Sequence, residues 1–89
     1  MLNVTHDAVT MIDGLVRASD LPSGAGLRIA QRSDHPALAM SLVAEAEPDD
    51  VSVRGGGAVV FLGPAAAAKL TEQTLDARTT ELGSAFYLR

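Results

Sequence analysis

Asp34 and His35 are adjacent residues of this sequence whose side chains could do chemistry together. A carboxylate beside an imidazole can bind a divalent metal ion or move a proton. Arg28 and Arg32 precede them on a predicted strand, and their guanidinium groups could receive a carboxylate or a phosphate. These four residues form the possible ligand loop of the chain, with a metal ion or a small anion as its ligand.

A structural turn is the competing interpretation of the same loop. Asp favours bonding to nearby backbone groups, and Pro36 fixes the exit of the chain, so the residue types favour a polar β-turn over a ligand site. His6, the other imidazole, falls in the first turn of a predicted helix and is expected at the surface. Two histidines and scattered carboxylates do not have the spacing of a metal site. We therefore predict no metal and no cofactor.

The sequence contains no cysteine, which removes whole classes of chemistry. Disulfides, thiolate metal sites, Cys-ligated iron–sulfur clusters and Cys nucleophiles are excluded. Ser33 and Ser84 lack the Gly-x-Ser-x-Gly context of a nucleophile, and no nucleophile–base pair can be assembled. The acidic stretch 45–50 lacks the order of a calcium loop, and the glycines at 55–57 are typical of a hairpin turn. We predict no catalytic residue and a protein that is not an enzyme.

Composition limits the size of the core and the kinds of partner. The 89 residues are expected to form a single domain, 1–89, with three aromatic residues and therefore a modest core. Seven basic and eleven acidic residues give a formal charge of −4, which argues against nucleic acid. No apolar run reaches the ~20 residues of a membrane span, and no signal peptide is recognised. We expect a cytoplasmic homodimer or monomer that can bind a protein partner.

The first half of the chain predicts one helix and three strands. A short edge strand at 2–4 leads to Thr5 as the N-cap of a helix over 6–18, which has one apolar stripe. Gly14 points away from that stripe, where it should cost about 1 kcal/mol relative to alanine. A Ser/Pro/Gly-rich loop then leads to a strand over 27–32 with a basic outer face. A second strand over 38–43 is expected to return antiparallel to it.

The second half predicts a hairpin, a short helix and two more strands. Val51 and Val53 alternate with polar neighbours, and a glycine turn joins them to an apolar strand over 58–62. Gly63 is placed as an N-cap, with Pro64 at the first helical position before four alanines. Strands are expected at 74–78 and 85–88. The predicted fold class is α+β, a compact, twisted, mainly antiparallel mixed β-sheet structure with six or seven short strands and two helices.

This order of parts resembles the HesB/IscA-like family of A-type iron–sulfur cluster carriers. The stretches that carry the resemblance are GLRIA at 26–30 and VVFLGPAAAAKLTEQTLDA at 59–77, with an acid-rich loop and a glycine hairpin between them. The resemblance covers nearly the whole chain and implies a compact twisted β structure with two helices. In that family, function depends on three cysteines. One lies in the loop after the GLR strand, and two form a Cys-Gly-Cys motif in a C-terminal tail.

This sequence departs from the family at the cysteine positions. The first one falls near Asp34 and His35, and the sequence ends at Arg89, before the place of the Cys-Gly-Cys motif. The resemblance therefore implies a HesB-like fold in a cysteine-free, shortened branch. We expect a non-catalytic HesB-like domain that is an accessory or protein-binding module related to iron–sulfur cluster assembly. The alternative is a metal-binding or small-anion-binding protein that uses the Asp34/His35 loop.

Overall fold

The computed structural model describes residues 1–32, 34 and 37–89, so His35 lies outside the described residues. This part of the chain forms two helices and seven strands, which confirms the predicted α+β class. The elements are β1 (Asn3–Val4), α1 (His6–Ala18), β2 (Gly26–Gln31), β3 (Leu38–Val43), β4 (Val51–Gly55), β5 (Ala58–Leu62), α2 (Pro64–Lys69), β6 (Thr74–Thr80) and β7 (Gly83–Leu88).

Helix α1 has the bounds that its local signals predict. The Thr5 hydroxyl accepts a hydrogen bond from the Ala8 N–H at 3.2 Å, which caps the first turn. Arg17 in the last turn lies 3.1 Å from the Asp13 carboxylate, one helical turn away. Ile12 is completely buried on the apolar face of the helix. That face packs against both sheets and positions them relative to each other.

A four-stranded sheet carries the predicted ligand loop. Its strand order is β3-β2-β5-β4, with β2 and β5 parallel and the two outer pairs antiparallel. The antiparallel return of β3 onto β2 and the glycine hairpin between β4 and β5 are both as predicted. Leu27 and Ile29 of β2 are buried with Val60 and Leu62 of β5 on the face that joins the main core. Strand β2 ends at Gln31, and Arg32 then leads into the loop.

The remaining strands form a separate three-stranded sheet rather than extending the first one. Its order is β1-β6-β7, with β1 parallel to β6 and β7 antiparallel to it. The strands pair in a mixed and mainly antiparallel way, as predicted, but they form two sheets. Leu75 of β6 is fully buried against the common core, which explains why β6 packs under α1.

Helix α2 connects the two sheets. Gly63 is its N-cap and Pro64 its first residue, as predicted, and Ala66 is fully buried in the core. The Lys69 ammonium donates to the Gln31 side-chain oxygen at 3.0 Å, which links the end of α2 to the end of β2. Within the residues that the structure describes, neither helix is long and apolar enough to cross a membrane.

Candidate functional site

The loop after β2 brings two of the four predicted site residues together. Arg32 Nε lies 3.5 Å from Asp34 Oδ1, and both side chains are largely exposed. An exposed pair of this kind contributes little to stability. Because His35 lies outside the described residues, the metal-binding or anion-binding role of this loop stays a prediction.

Arg28 points to the same side of β2 as Arg32, but it already has two carboxylate partners. Its Nε and Nη2 atoms donate to the two oxygens of Asp50, each at 2.9 Å, in a bidentate pair. Its Nη2 atom also lies 2.7 Å from Glu47 Oε2. We call Arg28, Glu47 and Asp50 the Arg28 cluster. An anion that bound at the Nε and Nη2 atoms of Arg28 would have to displace these carboxylates.

The Arg28 cluster changes the expectation of an open basic outer face on β2. The Asp50 side chain is only 1% exposed, and the Arg28 side chain is 21% exposed. The loop is also closed on itself, because the Glu47 N–H donates to Asp50 Oδ2 at 3.0 Å and the Asp50 N–H donates to Glu47 O at 3.0 Å. The acidic loop is therefore a turn that is fixed to β2 by an ion pair largely shielded from water.

The electrostatics of the Arg28 cluster favour the charged forms of both partners. Hydrogen bonds from Arg28 lower the pKa of the Asp50 carboxyl below its ordinary value, against the opposing effect of burial. The hydrogen bond to Asp50 likewise raises the pKa of Arg28. Since both groups stay ionised at neutral pH and satisfy each other, this arrangement is suited to holding a loop in place. It provides no group poised to exchange a proton near pH 7.

The described side chains do not form a metal-binding arrangement. Within residues 1–32, 34 and 37–89, no group of three or more His, Cys, Asp or Glu side chains is placed to hold a metal ion. Glu47 and Asp50 face Arg28 rather than an open coordination position. Any metal site at the Asp34/His35 loop would therefore depend on residues beyond those that are described.

A second polar cluster, centred on Asp76 of β6, was not anticipated from the sequence. The Asp76 carboxylate accepts hydrogen bonds from the Thr5 hydroxyl at 2.7 Å and the Ala77 N–H at 2.8 Å. It also accepts from the Tyr87 hydroxyl at 3.0 Å and Arg89 Nε at 3.2 Å. We call this the Asp76 cluster. It joins the start of α1 to β6 and to the end of β7, so its role is to position these elements.

Acid should remove the contribution of the Asp76 cluster. The hydrogen bonds from Thr5 and Ala77, and then those from Tyr87 and Arg89, lower the pKa of Asp76 to about 2. A carboxyl whose pKa is lower in the folded state adds stability above its ordinary pKa, and that stability is lost as the pH falls toward 2. We expect Asp76→Asn to lower Tm by several degrees at pH 7 and by much less near pH 2.

Asp49→Asn is the matched control for this measurement, because Asp49 is exposed in the acidic loop. Thermal unfolding followed by circular dichroism at both pH values compares the two variants with the parent protein. A loss of Tm in Asp76→Asn that is equally large at pH 2 and pH 7 would contradict the assigned pKa.

An apolar groove lies between α1 and the β6–β7 hairpin. Met11, Gly14 and Leu15 of α1 form one wall, and Phe86 of β7 contributes to the other. An added Cβ at Gly14 would have no neighbour within 4 Å, so this glycine widens the groove without being required by packing. At the tip of the same hairpin, the Leu82 side chain is fully exposed. The described lining of the groove carries no charged side chain, and the hydroxyl residues Thr10, Thr79 and Ser84 complete it.

No protein-family model and no curated protein matches the sequence. Solved structures with the same fold do match. SufA from Escherichia coli, which is involved in the biosynthesis of iron–sulfur clusters, superposes with a TM-score of 0.81 at 23% identity, covering 99% of this chain and 83% of SufA. IscA, in a crystal structure with a [2Fe-2S] cluster, gives a TM-score of 0.81 at 24% identity, covering 100% of this chain and 84% of IscA.

A protein from Aquifex aeolicus, solved by NMR in solution, is similar over 99% of this chain and 89% of its own length, with a TM-score of 0.76 and 22% identity. These superpositions confirm the predicted HesB/IscA-like fold. The chain thus has the backbone of these proteins, and its 89 residues have no cysteine.

Proposed function

We propose that this domain serves iron–sulfur cluster assembly as a non-catalytic accessory module, which binds another protein and holds no cluster itself. The proposal rests on one combination, a backbone like those of SufA and IscA along almost all of the chain and a sequence of 89 residues without a cysteine. Iron–sulfur clusters are held chiefly by Cys thiolates. A domain with this shape and without those ligands retains a surface for recognition. The proposed setting is the cytoplasm.

Surface chemistry supports a protein as the ligand. The groove beside α1 is lined by Met11, Leu15 and Phe86, and the fully exposed Leu82 is on the hairpin that forms its second wall. Met11 and Phe86 are half-buried, whereas Leu15 and Leu82 are exposed. Exposed apolar surface is typical of protein-contact sites. In contrast, Arg28, one of the two arginines considered for anion binding, is occupied by Asp50 and Glu47.

Anaerobic reconstitution with ferrous iron and sulfide tests whether the domain holds a cluster. We expect the purified protein to stay colourless under conditions in which IscA, used as the positive control, takes up a cluster. A stoichiometric brown chromophore on this protein would refute the proposal.

Titration with purified cluster-assembly proteins tests the binding half of the proposal. We expect saturable binding to at least one of them and weaker binding by Leu82→Asp. The control is Val51→Asp, which changes another exposed apolar residue on β4, on the other sheet. If no assembly protein binds, or if Leu82→Asp binds as well as the control, the proposed function is wrong.

A further inference from the structure

Within the residues that the structure describes, strand β3 lacks the charges, prolines and bulges that usually protect the edge of a sheet. β3 closes the four-stranded sheet on one side, and its residues, LAMSLV, include no charge and no proline. Its pairing with β2 continues without a bulge from Gly26↔Val43 to Gln31↔Leu38. Natural edge strands normally carry charges, prolines or bulges that prevent pairing with another chain. An edge without them is a ready template for a further strand.

Hydrogen bonds on the two sides of β2 determine which backbone groups of β3 point outward. The Arg32 N–H donates to Ala37 O at 3.3 Å, toward β3, and the Gly63 N–H donates to Ile29 O at 3.0 Å, on the side of β5. Backbone groups alternate in direction along a strand. The even-numbered residues of β2 therefore face β3, and the odd-numbered residues of β3 face β2. The even-numbered residues of β3 direct their N–H and C=O groups away from the sheet.

Those outward-facing residues are Leu38, Met40 and Leu42, and their side chains share one face. The register places Leu42 opposite Leu27 and Met40 opposite Ile29, so this is the face that joins the core. Met40 remains 37% exposed at the edge of that face. A strand added beside β3 would satisfy its free backbone groups and also cover apolar side chains.

We propose that two copies of this protein associate through β3, pairing antiparallel about a two-fold axis at Met40. In this register Met40 lies opposite Met40 of the second copy, and Leu38 lies opposite Leu42. Each of these pairs joins residues with outward-facing groups and can exchange both backbone hydrogen bonds. The side chains of each pair also lie on the same face. The two four-stranded sheets become one continuous sheet with a common apolar face.

Charge favours a second copy as the occupant of this edge. Each copy has a formal charge of −4, so contact between copies is least opposed at a surface without charge, and β3 has none. The other long edges are less self-complementary. β4 contains Arg54, and a two-fold axis at Phe86 of β7 would set the polar Ser84 against Leu88. Because pairing of a single strand is smaller than a standard interface, we expect a dissociation constant in the micromolar range.

Sedimentation velocity over a concentration series tests the proposal. Met40→Lys places two ammonium groups opposite each other at the axis and should raise the dissociation constant at least about tenfold. Val51→Lys is the matched control, because it introduces the same charge at an exposed apolar residue of β4, on the other edge of the sheet. Met40→Pro is a second variant that removes an outward N–H and leaves the bonds to β2 in place. Circular dichroism verifies that each variant is folded.

Amide hydrogen exchange on the parent protein locates the interface without any substitution. At high concentration we expect slow exchange at Leu38, Met40 and Leu42, and at low concentration fast exchange at these three amides. Ala39 and Ser41, bonded to β2, should be protected at both concentrations. The proposal is overturned if the protein is monomeric throughout, if Met40→Lys and Met40→Pro associate like the parent, or if Val51→Lys dissociates the dimer. Concentration-dependent protection along β7 instead of β3 would overturn it as well.

Discussion

Replacing Arg28 with alanine is expected to lower the free energy of unfolding by about 3 kcal/mol, which for a domain of this size lowers Tm by roughly 15 °C. The reason is the burial of Asp50, whose side chain is 1% exposed and whose two oxygens are both bonded to Arg28. Without the guanidinium, the carboxylate must stay unpaired in a site shielded from water or pull the acidic loop off β2. Urea unfolding followed by circular dichroism measures the loss.

Arg32→Ala is the matched control, one residue beyond the end of the same strand. Arg32 lies on the same side of β2 as Arg28, but it pairs with Asp34 at 3.5 Å with both side chains largely exposed. We expect the free energy of unfolding to change by less than about 0.5 kcal/mol. If both variants lost the same free energy of unfolding, shielding from water would not determine how much the Arg28 cluster stabilises the fold.

A double variant separates two effects on stability, the cost of leaving Asp50 unpaired and the loss of the contact itself. Arg28→Ala with Asp50→Ala removes both charges, so it should be more stable than Arg28→Ala alone.

The pH dependence of the free energy of unfolding gives an independent check. Because the pKa of Asp50 is lowered in the folded protein, the pair stabilises the fold above an ordinary carboxyl pKa near 3.8 and loses this contribution as the pH falls. The difference between the parent protein and Arg28→Ala should therefore shrink below pH 4.

Features that depend on a few consecutive residues could be predicted from the sequence. The N-cap at Thr5, the proline at the start of α2 and the glycine turn before β5 each act within one turn of chain, and all three lie where they were expected. The alternation in 38–43 likewise identified β3 and its antiparallel partner. Such local signals predict the folded structure correctly because caps and tight turns have the same backbone geometry in any tertiary context.

Contacts between distant elements could not be predicted in the same way. Arg28 meets Asp50 across 22 positions, and Asp76 meets Thr5 across 71. Both contacts depend on strand register and on how a loop lies over a sheet, and these are decided by packing. For this reason the sequence did not predict which of the candidate site residues meet, and the ligand-binding role of Asp34, His35, Arg28 and Arg32 stays a prediction. Arg32 and Asp34 are neighbours, as the short spacing implied, while Arg28 has a structural ion pair in place of an open position.

The same substitution should have opposite effects at two glycines. Gly26 opens β2, and a Cβ there would lie 2.6 Å from Val59 Cγ1 and closer still to the Val59 carbonyl oxygen. A side chain could turn aside, but the carbonyl is fixed in the sheet, so β2 and β5 would have to separate. We expect Gly26→Ala to lower the free energy of unfolding by about 3 kcal/mol. Urea unfolding measures it, and a loss below about 0.5 kcal/mol would show that the two strands can move apart easily.

Gly14→Ala is the matched counterpart in α1. A Cβ at Gly14 meets nothing within 4 Å, and the residue lies inside the helix, where alanine is favoured over glycine by about 1 kcal/mol. We therefore expect this variant to be more stable than the parent by about that amount. If Gly14→Ala were instead destabilised, the groove wall formed by α1 would need the extra space in the folded monomer. Opposite signs at the two positions would show that close approach to Val59, and not backbone flexibility, requires glycine at position 26.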